Sequence, residues 1–408
     1  MRPSREFTKF WLGQAVSLFG NQFTQLALPL AAAVTLHATA LEMGLLGVAR
    51  FAPGLLIGIP SGVWIDRARR KPILVGSQVV SAVALATIPG AALVHELTLG
   101  QLYAASFVAG AAATVQTIAL TAYVPTIAGR DRLVEANTRI QGSLTVANLL
   151  GPGLAGFAVQ ALTAPIAIAF DALTFVVGAA TSAWARVDEP VPSPSGRRSW
   201  HDALEGQAWL WRQPLVRAVT LTIVINNGGS NVTFAVFVLY FVTVVGITPA
   251  QLGLVFAISG LASLVGARLS RPLVRRGWLG PVMAIGAGLV VLGQTGPLFA
   301  AYAPRPLAYP ILIAFGALVG VSIMVYNVNQ QSIRQAVTPD RILGRVQSGI
   351  YVLFSVAQVA GSLLGGVIGQ LAGLRTAIAV GAVVCLLSAL PSVLSPLRSL
   401  RQVPALAS

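Results

Sequence analysis

Residues 43–71 read MGLLGVARFAPGLLIGIPSGVWIDRARRK. Twenty-three residues, 43–65, carry one charge, Arg50, and the run then stops on Asp66, Arg67, Arg69, Arg70 and Lys71. A helix crossing the hydrocarbon core needs roughly 20 apolar residues, so this stretch is a membrane span closed by a basic loop. Basic loops of this kind stay on the cytoplasmic side.

The pattern repeats along the chain. Twelve apolar runs are expected as spans: 10–36, 43–65, 72–93, 98–123, 139–160, 164–185, 215–244, 250–268, 278–300, 307–333, 345–369 and 374–395. With the amino terminus inside, 24 of the 27 basic residues fall in cytoplasmic segments. Only Arg305 and Arg375 fall outside, and Arg50 within a span. A miscounted helix would scramble that asymmetry. The first run is too long for a signal-peptide core and has no convincing cleavage site, so it reads as the first span. The expectation is a multi-pass bacterial inner-membrane protein with both termini cytoplasmic.

Composition agrees. Of 408 residues, 55% are hydrophobic and only 10% charged, against about 25% charged in soluble domains. The net charge of +15 sits in short bursts between spans, without aromatic interleaving, and implies no nucleic-acid partner. One cysteine, Cys385, and three dispersed histidines supply no disulfide framework and no metal site. No phosphate-binding loop occurs, and no paired carboxylates or Ser–His arrangement meets within the spans. No cofactor and no enzymatic activity are expected.

Residues 186–213 form the longest loop, rich in proline and charge, with a short amphipathic helix expected over 200–211. The loop divides the chain into bundles 1–185 and 214–408. The two halves echo each other. Asp131-Arg132-Leu133 recurs as Asp340-Arg341-Ile342, and Gly151–Gly156 as Gly361–Gly366, at offsets of 209 and 210 residues.

Two motifs carry chemistry. The loop Gly62, Asp66, Arg67, Arg70, Lys71 places an acid at a helix end beside three cations, a charge latch or a plain stop signal. The run Ala147–Gly156, with Gly151, Pro152 and Gly156, allows close helix approach and a bend. Both resemble signatures of the major facilitator superfamily: its loop after span 2 and its antiporter motif in span 5. Trp64 stands where leucine is usual, Arg69 and two alanines where glycine is. The wider run, including Ala27–Leu30, Asp131–Asn137, Ala164-Pro165 and Asp171-Ala172, is similar to macrolide-efflux proteins and siderophore exporters. The resemblance implies an all-α fold of two pseudo-symmetric six-helix bundles. It further implies a gate at Asp66 with Arg67, Arg70 and Lys71, and a pliant seam at Gly151, Pro152 and Gly156. Departures at Asn21, Gln78, Ser81, Ser106 and Gln116 remove acidic or basic residues frequent in that branch.

Ionisable residues inside spans are functional candidates. Arg50 and Asp171 each lie about seven residues from the outer end of a span, roughly 10 Å deep, which makes an ion pair possible: the readings are a static pair that fixes packing, a proton-coupling switch, or two unpaired residues reaching for the interface. Uncharged polar residues cluster in spans 1, 4, 7 and 10, which line the cavity in the family. Gln14, Asn21, Gln25, Gln116, Asn227, Asn231, Tyr326 and Asn327 are the substrate candidates. The expected activity is export of small amphipathic or drug-like molecules by a proton antiporter that works as a monomer in the lipid bilayer. An exporter of one dedicated secondary metabolite or siderophore, an importer or lipid-type flippase, and a non-transporting receptor or scaffold are the alternatives.

Overall fold

The computed structural model describes residues 5–187, 189, 207–275 and 279–395. Its elements are α1 (Arg5–Leu30), α2 (Ala40–Asp66), α3 (Arg70–Leu93), α4 (Leu99–Ala128), α5 (Leu133–Leu162), α6 (Ala164–Trp184), α7 (Pro214–Leu239), α8 (Pro249–Arg275), α9 in two pieces (Leu279–Gln294 and Gly296–Tyr302), α10 (Arg305–Val337), α11 (Asp340–Ala372) and α12 (Leu374–Leu387, then Leu390–Val393). No strand occurs among the described residues. In lipid the backbone must bond to itself, and helices do this within one segment.

Eleven of these helices are long and apolar enough to cross a membrane. The first expected run is also helical, from Arg5 through a π-turn at Ala31–Thr35. Its Gln14, Asn21, Gln22 and Gln25, with Arg5, Glu6 and Lys9, dilute it below the apolarity of the others. Several helices overrun the expected spans on the basic side: α4 reaches Ala128, α5 starts at Leu133, α10 reaches Val337 and α11 starts at Asp340. Leaving the hydrocarbon does not end a helix whose backbone bonds continue.

The chain clusters into two units. The first comprises Met1–Ala38, Ala49–Arg197 and Thr248–Leu254, and the second Thr39–Val48, Arg198–Ile247 and Val255–Ser408. In the first, α1, α3 and α6 pack together, with α5 on α1 and α4 on α3. Its best-buried apolar cluster holds Phe7, Phe10, Ile65, Leu74, Tyr123 and Ile127, with Phe10 edge-on to Tyr123 at 5.4 Å. In the second, α7 packs on α11 and α12, and α10 on α9. Residues 207–212, the described part of the expected amphipathic helix, are helical and seat Leu210 on Ile342, Val346 and Ile350 of α11. Large apolar side chains such as Leu56, Val83, Phe157, Leu173 and Leu386 are exposed, as a lipid-facing surface requires.

The internal echo extends to the backbone. A second π-turn, Tyr240–Val245, ends α7 as Ala31–Thr35 ends α1. His37 (φ 51°) and Gly246 (φ 83°) follow these turns, and Thr163 (φ 135°) and Gly373 (φ 91°) sit at the α5–α6 and α11–α12 corners. All keep the 209–210 register.

Candidate functional site

The signature loop is built at the start of α3. Arg69 occupies the N-cap position and supplies no side-chain cap. Glu189 supplies it instead. Its carboxylate accepts from Arg70 N (2.6 Å) and Lys71 N (3.1 Å), and the Arg70 guanidinium lies 3.8 Å away. Lys71 Nζ donates to the carbonyl of Ala185 (2.7 Å). An anion on the first free N–H groups of a helix is stabilised by the helix dipole. Sequence reasoning missed Glu189, because 119 residues separate it from Arg70 and it lies in a stretch read as linker. The same stretch is also tied to α1: Arg186 N donates to Glu6 (2.6 Å), and Glu6 pairs with Lys9. The pairing with Lys9, then the Arg186 N–H, holds the Glu6 carboxyl below its ordinary range. Gly62 and Asp66 are helical by backbone, but their side chains lie outside the described residues.

The antiporter-type run is a packing surface. A Cβ on Gly151 would strike the side chain of Gln22 on α1, 2.6 Å from its Cβ. Gln22 in turn donates to Asn148 (2.7 Å). A Cβ on Gly156 would lie 2.8 Å from Cα of Gly253 on α8. Gln160 accepts from Ala250 N (3.1 Å), capping α8 from α5.

The amide candidates divide. In the first unit, Asn21 and Gln25 are exposed. Gln14 is buried and donates to Ser182 on α6 (3.4 Å), and half-buried Gln116 of α4 donates to Gln14 (3.4 Å). In the second unit, Asn227 and Asn231 bond back along α7, to Ile223 O (3.0 Å) and Asn227 O (2.9 Å). Tyr326 is buried among Val219, Met283 and Ala287, a core position, while its neighbour Asn327 is exposed. Thus Asn21, Gln25 and Asn327 present free amide surface, and Gln14, Asn231 and Tyr326 chiefly brace helices.

Of the readings open for Arg50 and Asp171, the structure shows no ion pair between them. The ion pairs among the described residues are Lys9–Glu6, Arg70–Glu189 and Arg139–Glu135. Equal depth does not fix the direction a side chain takes around its helix. The α2 backbone at Arg50 presses on α4, where a Cβ on Gly110 would strike the Arg50 carbonyl, and the guanidinium lies over Phe51 at 5.8 Å. Asp171 instead faces α1 and is fully buried. Its Oδ1 accepts a long bond from Thr174 (3.3 Å), and the Thr24 hydroxyl of α1 also acts on the carboxyl.

The family model for the Major Facilitator Superfamily matches residues 10–328 and 219–405. "Enterobactin exporter EntS" of Salmonella typhi is 27% identical over a 418-residue alignment covering 98% of this chain and 94% of the relative. The protein of that name from Escherichia coli O127:H6 is 26% identical over 412 residues, with the same coverage. Among solved structures, a bacterial homologue of the iron transporter ferroportin gives a TM-score of 0.77 at 15% identity, over 96% of this chain and 99% of that one. The nucleoside transporter NupG gives 0.74 at 15%, with the same coverage. These structural likenesses show the fold, an all-helical one.

Proposed function

The chain belongs to the Major Facilitator Superfamily, and from that premise we propose that it is a secondary active transporter exporting small amphipathic molecules by alternating access, coupled to inward proton flow. Its role is transport and not catalysis, as it is for its named relatives. The observation that carries the export reading is the likeness to enterobactin exporters, which covers 98% of the chain. The exposed amides Asn21, Gln25 and Asn327 agree with it: uncharged hydrogen-bonding groups on apolar helices suit neutral or amphipathic solutes and suit multiply charged ones poorly.

In this reading the protein sits in a bacterial inner membrane with both termini cytoplasmic, which the basic-residue asymmetry supports. It works as a monomer, with the bilayer, its small-molecule substrate and H+ as partners. Asp66 with Arg67, Arg70 and Lys71 forms the gate, anchored through Glu189, and Gly151, Pro152 and Gly156 form a seam that limits leak. The exposed amide faces support a multidrug range. The names of the relatives favour a narrower reading, a single siderophore-type metabolite.

The test is efflux from energised everted vesicles, using a lipophilic dye panel and a catechol-bearing metabolite, with and without a protonophore. Export abolished by the protonophore supports antiport. Export that survives it removes proton coupling. Movement of the catechol compound but none of the dyes selects the dedicated exporter.

A further inference from the structure

We infer that the polar seam buried between α1, α3 and α6 is a proton-binding site carried by Asp171, set apart from the exposed amides that would meet substrate. The inference rests on the proposed coupling and gives it a place.

The seam is unusually incomplete. Asp171, Gln78 and Ser81 are each 0% exposed. Yet both polar atoms of the Gln78 amide and Ser81 Oγ have no hydrogen-bond partner, and the Asp171 carboxyl is met only by the hydroxyls of Thr24 and Thr174. Each buried, unmet polar group destabilises the fold, so the cluster would be selected against if it served packing alone.

The second unit shows what packing alone looks like. Gly229 of α7 stands 209 residues after Gly20 of α1. Around it Ser230 donates to Gln294 (2.9 Å), Gln294 to Asn226 (3.3 Å) and Asn226 to Ser388 (3.5 Å). None of these side chains is left with an unbonded buried atom, and none is a carboxylate. The same helix triplet therefore closes its network in one unit and leaves it open around an acid in the other.

A carboxylate buried without an ion-pair partner is strongly disfavoured in its ionised form, so Asp171 calls for a neutralising cation. Among the described residues, Arg50 is the one charged group that acts on it, from α2 and without an ion pair; α1 and α3 bring it no charge. A hard divalent ion such as Ca2+ wants about six or more oxygen ligands. Here Gly20 backbone crowds Oδ1, since a Cβ on Gly20 would lie 2.5 Å from it. No second acid joins to make a metal cluster among the described residues. A proton is the cation that fits.

Polar groups continue from the acid along the seam. Thr174 bonds Asp171, and Ser17 donates to Thr174 O (3.0 Å). Ser17 Oγ and Gln78 Oε1 converge on Gly178, where a Cβ would meet them at 2.6 and 3.1 Å. Water reaching the Gln78 amide and Ser81 Oγ would complete their bonds. On release, the carboxyl O–H breaks, the proton passes to such a water, and the carboxylate remains until it is reloaded from the other side.

The test uses the full chain in proteoliposomes and a hydrophobic carbodiimide, which modifies protonated buried carboxyls, with the adduct located by peptide mass spectrometry. Asp171 should be labelled at acid pH and progressively less as the pH is raised, with Na+ giving no protection. Gln78→Leu with Ser81→Ala should slow labelling without lowering the unfolding temperature. Labelling blocked by Na+ overturns the proton assignment in favour of an alkali-ion site. Absence of labelling at every pH, in protein that unfolds cooperatively, overturns the site itself. Labelling needs no substrate, so the site can stand if no exported compound is found. Conversely, protonophore-sensitive export without Asp171 labelling keeps the transporter and removes this site.

Discussion

Gly156 of α5 and Gly253 of α8 meet backbone to backbone. A Cβ on the first would lie 2.8 Å from Cα of the second, and one on Gly253 would lie 2.9 Å from Cα of Gly156. The second unit holds the matching crossing. A Cβ on Gly44 of α2 would lie 2.7 Å from Cα of Gly366 on α11, and the reverse approach is 2.8 Å. Gly366 follows Gly156 by 210 residues, and Gly253 follows Gly44 by 209. The duplication thus preserves two glycine crossings as well as a helix count.

Neither crossing can take a methyl without moving backbone. Gly156→Ala and Gly366→Ala should each destabilise the protein by about 1–3 kcal/mol and lower its unfolding temperature in detergent. Gly142→Ala is the control. That glycine is in α5 with nothing within 4 Å of its would-be Cβ, so the helix should gain about 0.5–1 kcal/mol. Equal behaviour of all three would refute the crossing.

Thr163 holds φ 135° at the α5–α6 corner, a conformation that costs a β-branched residue about 1–3 kcal/mol. The second half places Gly373 at the same corner, at φ 91°. Thr163→Gly should therefore leave stability unchanged or raise it by up to about 1 kcal/mol, because strain relief exceeds the added chain entropy. Gly373→Thr should lower it. Thermal unfolding of the two variants, side by side, decides the matter.

The spans, the basic loops and the duplication register were legible in the sequence because each repeats many times in the chain. Side-chain partnership across helices was not. Depth along a helix made an Arg50–Asp171 pair possible, but depth does not fix the direction a side chain takes around its helix, and no ion pair joins them. The same limit hid the core position of Tyr326 and the bracing role of Gln14, since a polar residue on a cavity helix looks alike whichever neighbour it faces. Glu189 was invisible for another reason: an N-cap from a distant loop has no local spacing.

That cap is open to direct measurement. Glu189→Gln should weaken the start of α3 by about 0.5–2 kcal/mol. Amide hydrogen exchange should rise at Arg70 and Lys71, whose N–H groups Glu189 holds. Gln101 N, capped by its own neighbour Thr98, should exchange as before. Unchanged exchange at residues 70 and 71 would show that the cap contributes nothing.

Acid should loosen the tie between Glu6, Lys9 and Arg186. The Glu6 carboxyl is held below its ordinary value, by the Lys9 bond first and the Arg186 N–H second. A lowered folded value means that the stabilisation is present above the ordinary carboxylate range and lost as pH falls through the folded value. Glu6→Gln removes the contribution, so the wild-type advantage in unfolding temperature should shrink towards zero at the acid end. An advantage independent of pH would mean that the tie does not depend on the charge of Glu6.

Cys385, the only cysteine of the chain, offers a final check on the second unit. It is 1% exposed and lies within the closed network of Asn226, Ser230 and Gln294. A maleimide should leave it untouched in the native protein and react as α7, α9 and α12 separate on heating. Its reaction then reports the unfolding of that triplet. Rapid labelling at room temperature would show that the network opens in the native state, and the contrast between its closed bonds and the open seam around Asp171 would fall with it.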